Sequence, residues 1–579
     1  MRCFCWLLLI LLVVGPGRAD TLDSLLEAEW QHLLSEDPLV ASWLGIPGHN
    51  DGWPDLSASA RKRRHEHYRQ LLSRLDRLEG LAPQEQLNLE LFREQIRWKV
   101  QEYELGLDRL AINQRDGIQT IGSLADALEF STLKDYEDWV TRLETFPGYA
   151  AQTIELLREG IKTGVMQPRI IVERLPRQLA DQMAQDPTDS IFYKPFKQRP
   201  PQLDQTAFDS LAERARHAIS EGVVPAYGRL HHFIEQEYLP ASPQTVGASQ
   251  WPQGQAAYQF LIGRYTTTDM TADQIHQLGL AEVQRIRGEM EQIIHQVGFR
   301  GSFREFLDSL RTDPRFYYHD SQELLKTYRA FCNRVDLQMP TMFGKLPRRP
   351  YGVEPIPDYI APDTTTAYYM PPSGSRAGIY YVNLYQPEAR PKYEIEVLTL
   401  HESVPGHHHQ IALALELEGL PAFRRYSDGF GSYTVFVEGW ALYAESLGYE
   451  MGFYEDPYSK FGQLTYDMWR AVRLVLDTGI HAKGWTRQQA IDFFLENTAK
   501  TKLDIVNEVD RYIAWPGQAL AYKIGQLKIR ELRTRAEKEL GPRFDLRAFH
   551  DVVLGQGAVS LKVLEQQVDA WVSGQSGAK

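Results

Sequence analysis

Along most of the chain the apolar residues return every three or four positions, the period of one face of an α-helix. Leu22, Leu25, Leu26, Trp30, Leu33 and Leu34 form one such stripe, with Glu29 its one polar entry, and Tyr68, Leu71, Leu72, Leu75 and Leu78 form another. Helix is the prediction for roughly the first 110 residues after the leader. Thr271 with Gln274 and Thr486 with Gln489 read as capping boxes, each opening a long amphipathic run. Pro, Gln, Ser and Gly gather without period around residues 185–210 and 240–256, which predicts connecting loops. No repeat or low-complexity tract is present. The helical pattern breaks between about 345 and 390, where Pro347, Pro350, Pro355, Pro357 and Pro362 precede two short runs rich in tyrosine and β-branched residues. These runs, Thr365 to Met370 and Gly378 to Leu384, flank a stretch opening Pro371-Pro372-Ser373-Gly374, and predict a hairpin.

The exception to amphipathicity is the start. An apolar run from Phe4 to Val14 follows Arg2 and leads into Gly15-Pro16-Gly17-Arg18-Ala19. It is about half the ~20 residues that span a bilayer, and Gly17 and Ala19 fit the small positions of a cleavage site. Residues 1–19 therefore read as a signal peptide, with an exported, periplasmic or extracellular mature chain and no stable membrane anchor. Neither Cys3 nor Cys5 sits after the run as a lipoprotein cysteine would, and Cys332, the one cysteine left, reads as a buried small hydrophobe. The 579 residues are 43% hydrophobic and 11% aromatic, which excludes disorder. Sixty-three basic against 76 acidic residues give a net charge of -13, and -15 once Arg2 and Arg18 are gone. A chain this acidic has no footprint for nucleic acid or an anionic membrane.

The chemistry gathers in Leu400-His401-Glu402-Ser403-Val404-Pro405-Gly406-His407-His408-His409-Gln410. In zincins two histidines at i and i+4 of one helix bind zinc, and the glutamate after the first acts as general base. Here the second histidine comes at i+6 or later. On a regular helix His407 would stand about 120° off the His401 face and about 9 Å along the axis, too far to share an ion. Pro405 cannot donate to the carbonyl of His401, and Gly406 is conformationally free, so the helix is expected to bulge and swing His407 back. His408 would face the right way but about 10.5 Å along the axis, and His407 is the favoured ligand. A solvated polar face is the alternative for three adjacent histidines. Thirty-one residues beyond His407, Glu438 enters an otherwise apolar helix, where a carboxylate is costly unless paired or bound to metal. Glu445, seven residues on, shares its face, so one can ligate while the other holds a ligand histidine, unless Glu445 is only an exposed helix charge.

His401-Glu402-x-x-Pro405-Gly406-His407, Glu438-Gly439-Trp440-Ala441, the segment from Arg473 through Asp477, Gly479 and His481, and the block from Arg511-Tyr512 through Pro516-Gly517-Gln518-Ala519 to Tyr522-Lys523 together resemble a bacterial family, domain of unknown function 885 (DUF885). The likeness continues upstream through Thr266-Thr267-Thr268 and Ile275 to Met290. It implies a predicted zinc peptidase of the gluzincin type, mainly α, with two helical lobes about a deep cleft and a small sheet beside the metal, similar in plan to thimet oligopeptidase and angiotensin-converting enzyme. It implies no particular substrate.

With that resemblance the expectation becomes one zinc ion per chain on His401, His407 and Glu438, Glu402 as general base, and hydrolysis of amide bonds in short peptides. Tyr522 is expected to stabilise the oxyanion, or else is a core tyrosine. His481, one turn after Asp477, is expected to orient a polar substrate group, or else makes a local helix contact. Arg511 is open between a peptide carboxylate and Glu508 one turn back. The hairpin could align an extended peptide. Residues 20–345 are expected to form the helical N-terminal lobe and 346–579 the zinc-binding region. The rival readings are a zinc hydrolase of a non-peptide amide or ester, and an exported peptide-binding protein without turnover.

Overall fold

The computed structural model describes residues 21–358, 361, 365–372, 376–426 and 433–577. The expected signal peptide and the Ser373-Gly374 turn lie outside them. Among the described residues the chain is mainly α-helical with one small sheet, as the periodicity predicts. The helices that matter below are α1 (Leu22–Glu36), α2 (Ala58–Leu75), α3 (Pro83–Glu104), α4 (Leu133–Thr163), α5 (Ala272–Gln296), α6 (Ser321–Met342), α7 (Ile395–Glu402), α8 (His407–Glu416), α9 (Thr434–Leu447), α10 (Pro457–Ala482), α11 (Lys502–Ala514) and α12 (Ala521–Leu540). Every apolar member of the first stripe is buried on α1, and both expected capping boxes are formed. Cys332 is buried on α6.

Strands β1 (Tyr351–Pro355), β2 (Ala367–Met370) and β3 (Gly378–Val382) make a sheet in the order β1-β3-β2. β2 and β3 pair antiparallel, Tyr369 opposite Tyr380, as the expected hairpin. The parallel partner β1, with Val353 opposite Tyr380, lies in the stretch that reads as proline-rich loop. The sheet sits against the histidine-rich segment that follows residue 400. The Tyr369 hydroxyl on β2 and His408 Nδ1 on α8 are hydrogen-bonded at 2.8 Å.

One hydrophobic cluster includes residues from both sides of position 345. Leu22, Trp30 and Phe92 belong to the same buried cluster as Val397, Leu400, Trp440 and Ile529. Aromatic pairs carry the continuity: Phe92 meets Phe423 at 4.9 Å between ring centroids, and Trp98 meets Tyr433 at 5.6 Å edge to face. Residues 112–239 build a second core around Trp139, Phe146 and Tyr227 on and beside α4. A third joins α5 to α10 through Ile286, Met290, Met468 and Val472.

α10 is buried over almost its whole length, opened by Asp456, which accepts the Tyr458 N–H, and by Pro457. Asp467, Arg470, Arg473, Asp477 and His481 recur along it at helical spacing, and all five are buried. α9 crosses α12 at two glycines. A Cβ on Gly439 would lie 2.5 Å from the Gly525 Cα, and one on Gly525 would lie 2.0 Å from the Val435 carbonyl oxygen. Any side chain at either position would push apart the helices that carry Glu438 and Tyr522.

Candidate metal centre

The segment after His401 does not bulge: it breaks. α7 ends at Glu402, residues 403–406 cross over, and α8 starts at His407. Pro405 and Gly406 cause the change of course, as expected, but they divide one helix into two. A Cβ on Gly406 would lie 1.9 Å from the His401 carbonyl oxygen, so the crossover needs glycine there. Trp440 Nε1–H on α9 donates to the Pro405 carbonyl at 2.8 Å, and His408 N–H donates to the Ser403 carbonyl at 3.0 Å, which ties the crossover to its neighbours.

This path brings His401, His407 and Glu438 together, with one ligand atom from each inside a 4.8 Å span. Glu438 Oε2 is 3.6 Å from Nε2 of both histidines. Two ligands of a tetrahedral zinc at 2.0–2.1 Å stand about 3.3–3.4 Å apart, so the spacing suits an ion and exceeds a hydrogen bond. Glu438 Oε2 and His407 Nδ1 are buried without a hydrogen-bond partner. One carboxylate and two imidazoles are a zinc donor set that leaves a position open, and the residues fit that metal. His408 is turned to Tyr369 instead, and its ring packs on Tyr351.

The second acidic residue of the face is not an exposed charge. Glu445 is fully buried, and its Oε1 accepts from His401 Nδ1 at 2.8 Å and lies 3.3 Å from Arg470 NH2. The bond protonates Nδ1 and frees Nε2 for a metal. Burial opposes charge on His401, but Glu438 and Glu445 outweigh it and raise its pKa to about 9. Burial likewise opposes the charge on Glu438, whose carboxyl is nevertheless held well below the usual range by His401 and His407. Burial pushes the Glu402 carboxyl up, and Glu438 adds to the shift while the histidines resist it. On the phenol of Tyr522, burial and then the charge of Glu438 raise the pKa, which places Tyr522 within electrostatic reach of the centre. The Arg473 guanidinium lies over its ring, 4.3 Å from the centroid.

His481 has another job than the expected one. Its Nδ1 accepts from Ala248 N–H and its Nε2–H donates to the Tyr512 carbonyl, both at 2.9 Å, so both ring nitrogens serve the backbone. It braces α10 against α11, and orienting a substrate is excluded by the lack of a free ring atom. Asp477 accepts from the Tyr258 hydroxyl and Gly517 N–H rather than pairing with it. Arg511 pairs with Glu508 at 3.0 Å. Residues that sequence reasoning gave no role include Arg470, Arg473 and Tyr380, whose phenol is raised by burial and lies within reach of the Glu402 charge. The signal for the first two was available: charges three residues apart inside a helix too apolar to be exposed.

A second group, Glu29, His32 and His67, also gathers possible ligands. There Glu29 Oε2 and His67 Nε2 stand 2.5 Å apart, a direct hydrogen bond between α1 and α2 and too close for two ligands of one ion.

A family model described as "Bacterial protein of unknown function (DUF885)" matches residues 38–568. A crystal structure from Colwellia psychrerythraea, described as a "putative lipoprotein", superposes with a TM-score of 0.90 at 31% identity, covering 96% of this chain and 99% of that one. A protein of unknown function from Shewanella oneidensis, similarly described, has a TM-score of 0.67 at 18% identity over 95% and 99% of the two chains, a likeness of fold. No curated protein matches.

Proposed function

Because the chain belongs to the bacterial DUF885 family, a family of unknown function, its chemistry has to be argued from its own residues, and we propose that it is a zinc-dependent hydrolase cleaving amide bonds of short peptides. The observation that carries this reading is the convergence of His401, His407 and Glu438, with Glu402 next to the first ligand and Glu445 behind it. When bound, zinc supplies Lewis acidity that brings a water's pKa to about 7 and polarises a scissile carbonyl. The chain's residues do the rest. Glu445 fixes the His401 ring with Nε2 toward the ion. Glu402 takes a proton from the attacking water on its carboxylate and hands it to the departing nitrogen, a task its burial-raised pKa suits. Tyr522 keeps its phenolic proton, since burial and Glu438 both resist ionisation, and donates it as a hydrogen bond to the developing oxyanion. β2 lies at an edge of the sheet, where an extended peptide can add as a further strand. The apolar leader and the description of the structural relatives both support export, and among the described residues no helix is long and apolar enough to cross a membrane.

The test is metal analysis of the purified chain together with mass-spectrometric digestion of a mixed peptide library, with and without chelator. One zinc per chain and chelator-sensitive cleavage are expected. A metal-free chain that cleaves undiminished after chelation, or a zinc-loaded chain that cleaves nothing, would sink the proposal.

A further inference from the structure

The chain as a whole is strongly acidic, yet a group of arginines gathers where Arg473 lies over the Tyr522 ring. Arg473 on α10, Arg511 on α11 and Arg115, from a loop some 290 residues upstream of the metal motif, converge on one carboxylate, Glu508 of α11. Three guanidinium groups against one carboxylate leave two positive charges over. Glu508 Oε2 already receives Arg473 NH2 at 3.1 Å, Arg511 NH2 at 3.0 Å and the Tyr512 hydroxyl at 2.9 Å. Its Oε1 takes Arg511 Nε at 3.3 Å.

The three arginines differ in what they have left to give. Arg511 is committed, with NH1 on Gln518 Oε1 at 2.6 Å and the rest of its fork on Glu508. Arg473 uses Nε on the Tyr512 hydroxyl and NH2 on Glu508, but its NH1 is buried with no partner. Arg115 reaches Glu508 only at 3.7 Å, beyond a hydrogen bond, and its side chain is 45% exposed. Asp477, the other acid near Arg511, has its carboxylate taken by Tyr258 and Gly517, and burial pushes its pKa up to about 7. Arg115 is open to solvent, but Arg473 keeps a buried donor unfilled, which is unfavourable until an acceptor arrives.

We propose that Arg473 and Arg115 form a carboxylate subsite beside the metal centre, with Tyr522 packed under the Arg473 guanidinium, so that the peptides bound there present a carboxylate next to the bond to be cut. This inference rests on the peptide-hydrolase reading and names its substrate class. Both arginines already meet at Glu508, and Arg473 NH1 and the Arg115 fork are the donors left for a planar carboxylate, the kind of acceptor for which arginine exceeds lysine. Burial and the nearby Arg511 lower the pKa of Arg115, the direction expected where positive charge is uncompensated. The carboxylate can come from the peptide's C-terminus or from an acidic side chain. Main-chain recognition would confine cleavage to the C-terminal end of a peptide.

The experiment uses three fluorescent peptides of one sequence: the free acid, the C-terminal amide, and the amide with a glutamate replacing the last residue. Binding is measured by anisotropy on zinc-loaded Glu402→Gln, which does not consume the probe, and cleavage is measured on the wild type. The free acid is expected to bind about 10- to 100-fold tighter than the plain amide, the loss typical of a charge-assisted hydrogen-bonded pair. Adding Arg115→Ala, with an unchanged melting curve, should bring acid and amide within about threefold. If the glutamate peptide binds like the acid, a side-chain carboxylate suffices; if like the plain amide, the site reads the main-chain terminus. Equal binding of all three overturns the subsite, and so does a preference for the acid that survives Arg115→Ala in folded protein. Cleavage without discrimination would leave hydrolysis standing and remove the subsite. Discrimination without cleavage would do the reverse.

Discussion

Glu445→Gln removes one charge from behind the proposed metal centre and leaves all three proposed ligands in place. The carboxylate is fully buried, and one oxygen serves two partners, His401 Nδ1 at 2.8 Å and Arg470 NH2 at 3.3 Å. Glutamine can still accept from Nδ1–H, so the ring orientation survives while the basicity lent to Nε2 is lost. Losses of this kind cost about 10- to 100-fold in metal affinity, or ~1.4–2.8 kcal/mol. The same change leaves the buried Arg470 guanidinium without its counter-charge. Breaking a buried pair costs on the order of 3–5 kcal/mol, and the retained amide acceptor places this case toward the low end. Two readouts should therefore move together: zinc affinity, by competition with a chromophoric chelator, and the melting temperature of the metal-free protein, by calorimetry. Zinc affinity within about twofold of wild type would refute the argument that His401 ligates through Nε2 with Glu445 as its anchor.

Glu402→Gln should abolish turnover of library peptides while metal content stays at the wild-type level, since a base and a ligand fail differently; retention of most of the rate would reassign the proton carrier. His407→Ala should release zinc and His408→Ala should keep most of it, because His408 is held by Tyr369; elemental analysis of both variants decides, and the reverse outcome would mean that the crossover was misread. Acid should destabilise the fold through histidines kept neutral by burial, His481 with a pKa lowered to about 4 and His550 to about 3. Their folded pKa values lie below the unfolded value of about 6.5, so their stability is fully present above pH 6.5 and is lost as the pH falls toward the folded values, by at most about 3 kcal/mol for His481. The melting temperature of chelated protein should decline steadily from pH 6.5 to 4, and a flat profile across that window would contradict the assignment.

The helices were legible because burial follows a local period: each apolar residue of the Leu22 to Leu34 stripe is inside, and Glu29, its exception, is inside as well because His67 pairs with it. The hairpin was legible from two tyrosine-rich runs around a turn. β1 was not, since a parallel partner is chosen by tertiary packing and Tyr351–Pro355 looks like the proline-rich loop that surrounds it. At the site, the odd spacing after His401 announced a departure from regular helix, but bulge and break differ only in what holds the crossover, and Trp440 lies 35 residues from the carbonyl it grips. The place of Arg115 in the arginine cluster was beyond reach for the same reason. Arg115 and Glu508 are almost 400 positions apart, and no local pattern links them.

The break between α7 and α8 changes what kind of object the metal centre is. Where two ligands sit four residues apart on one helix, the pitch sets their span, and the pair exists as soon as the helix does. Here the span depends on a tryptophan from another helix, on a glycine with no room for a methyl group, and on a third ligand held in place by a close crossing of α9 and α12. A peptide cut out as residues 395–416 would carry both histidines and could form both helices, yet it would present no ready-made chelate. Capture of the proposed metal would thus belong to the last and most cooperative stage of assembly, when long-range contacts close. On the proposed reading, a chain that has collapsed but not yet packed would hold no ion, and the arrival of zinc would mark the moment its architecture is finished.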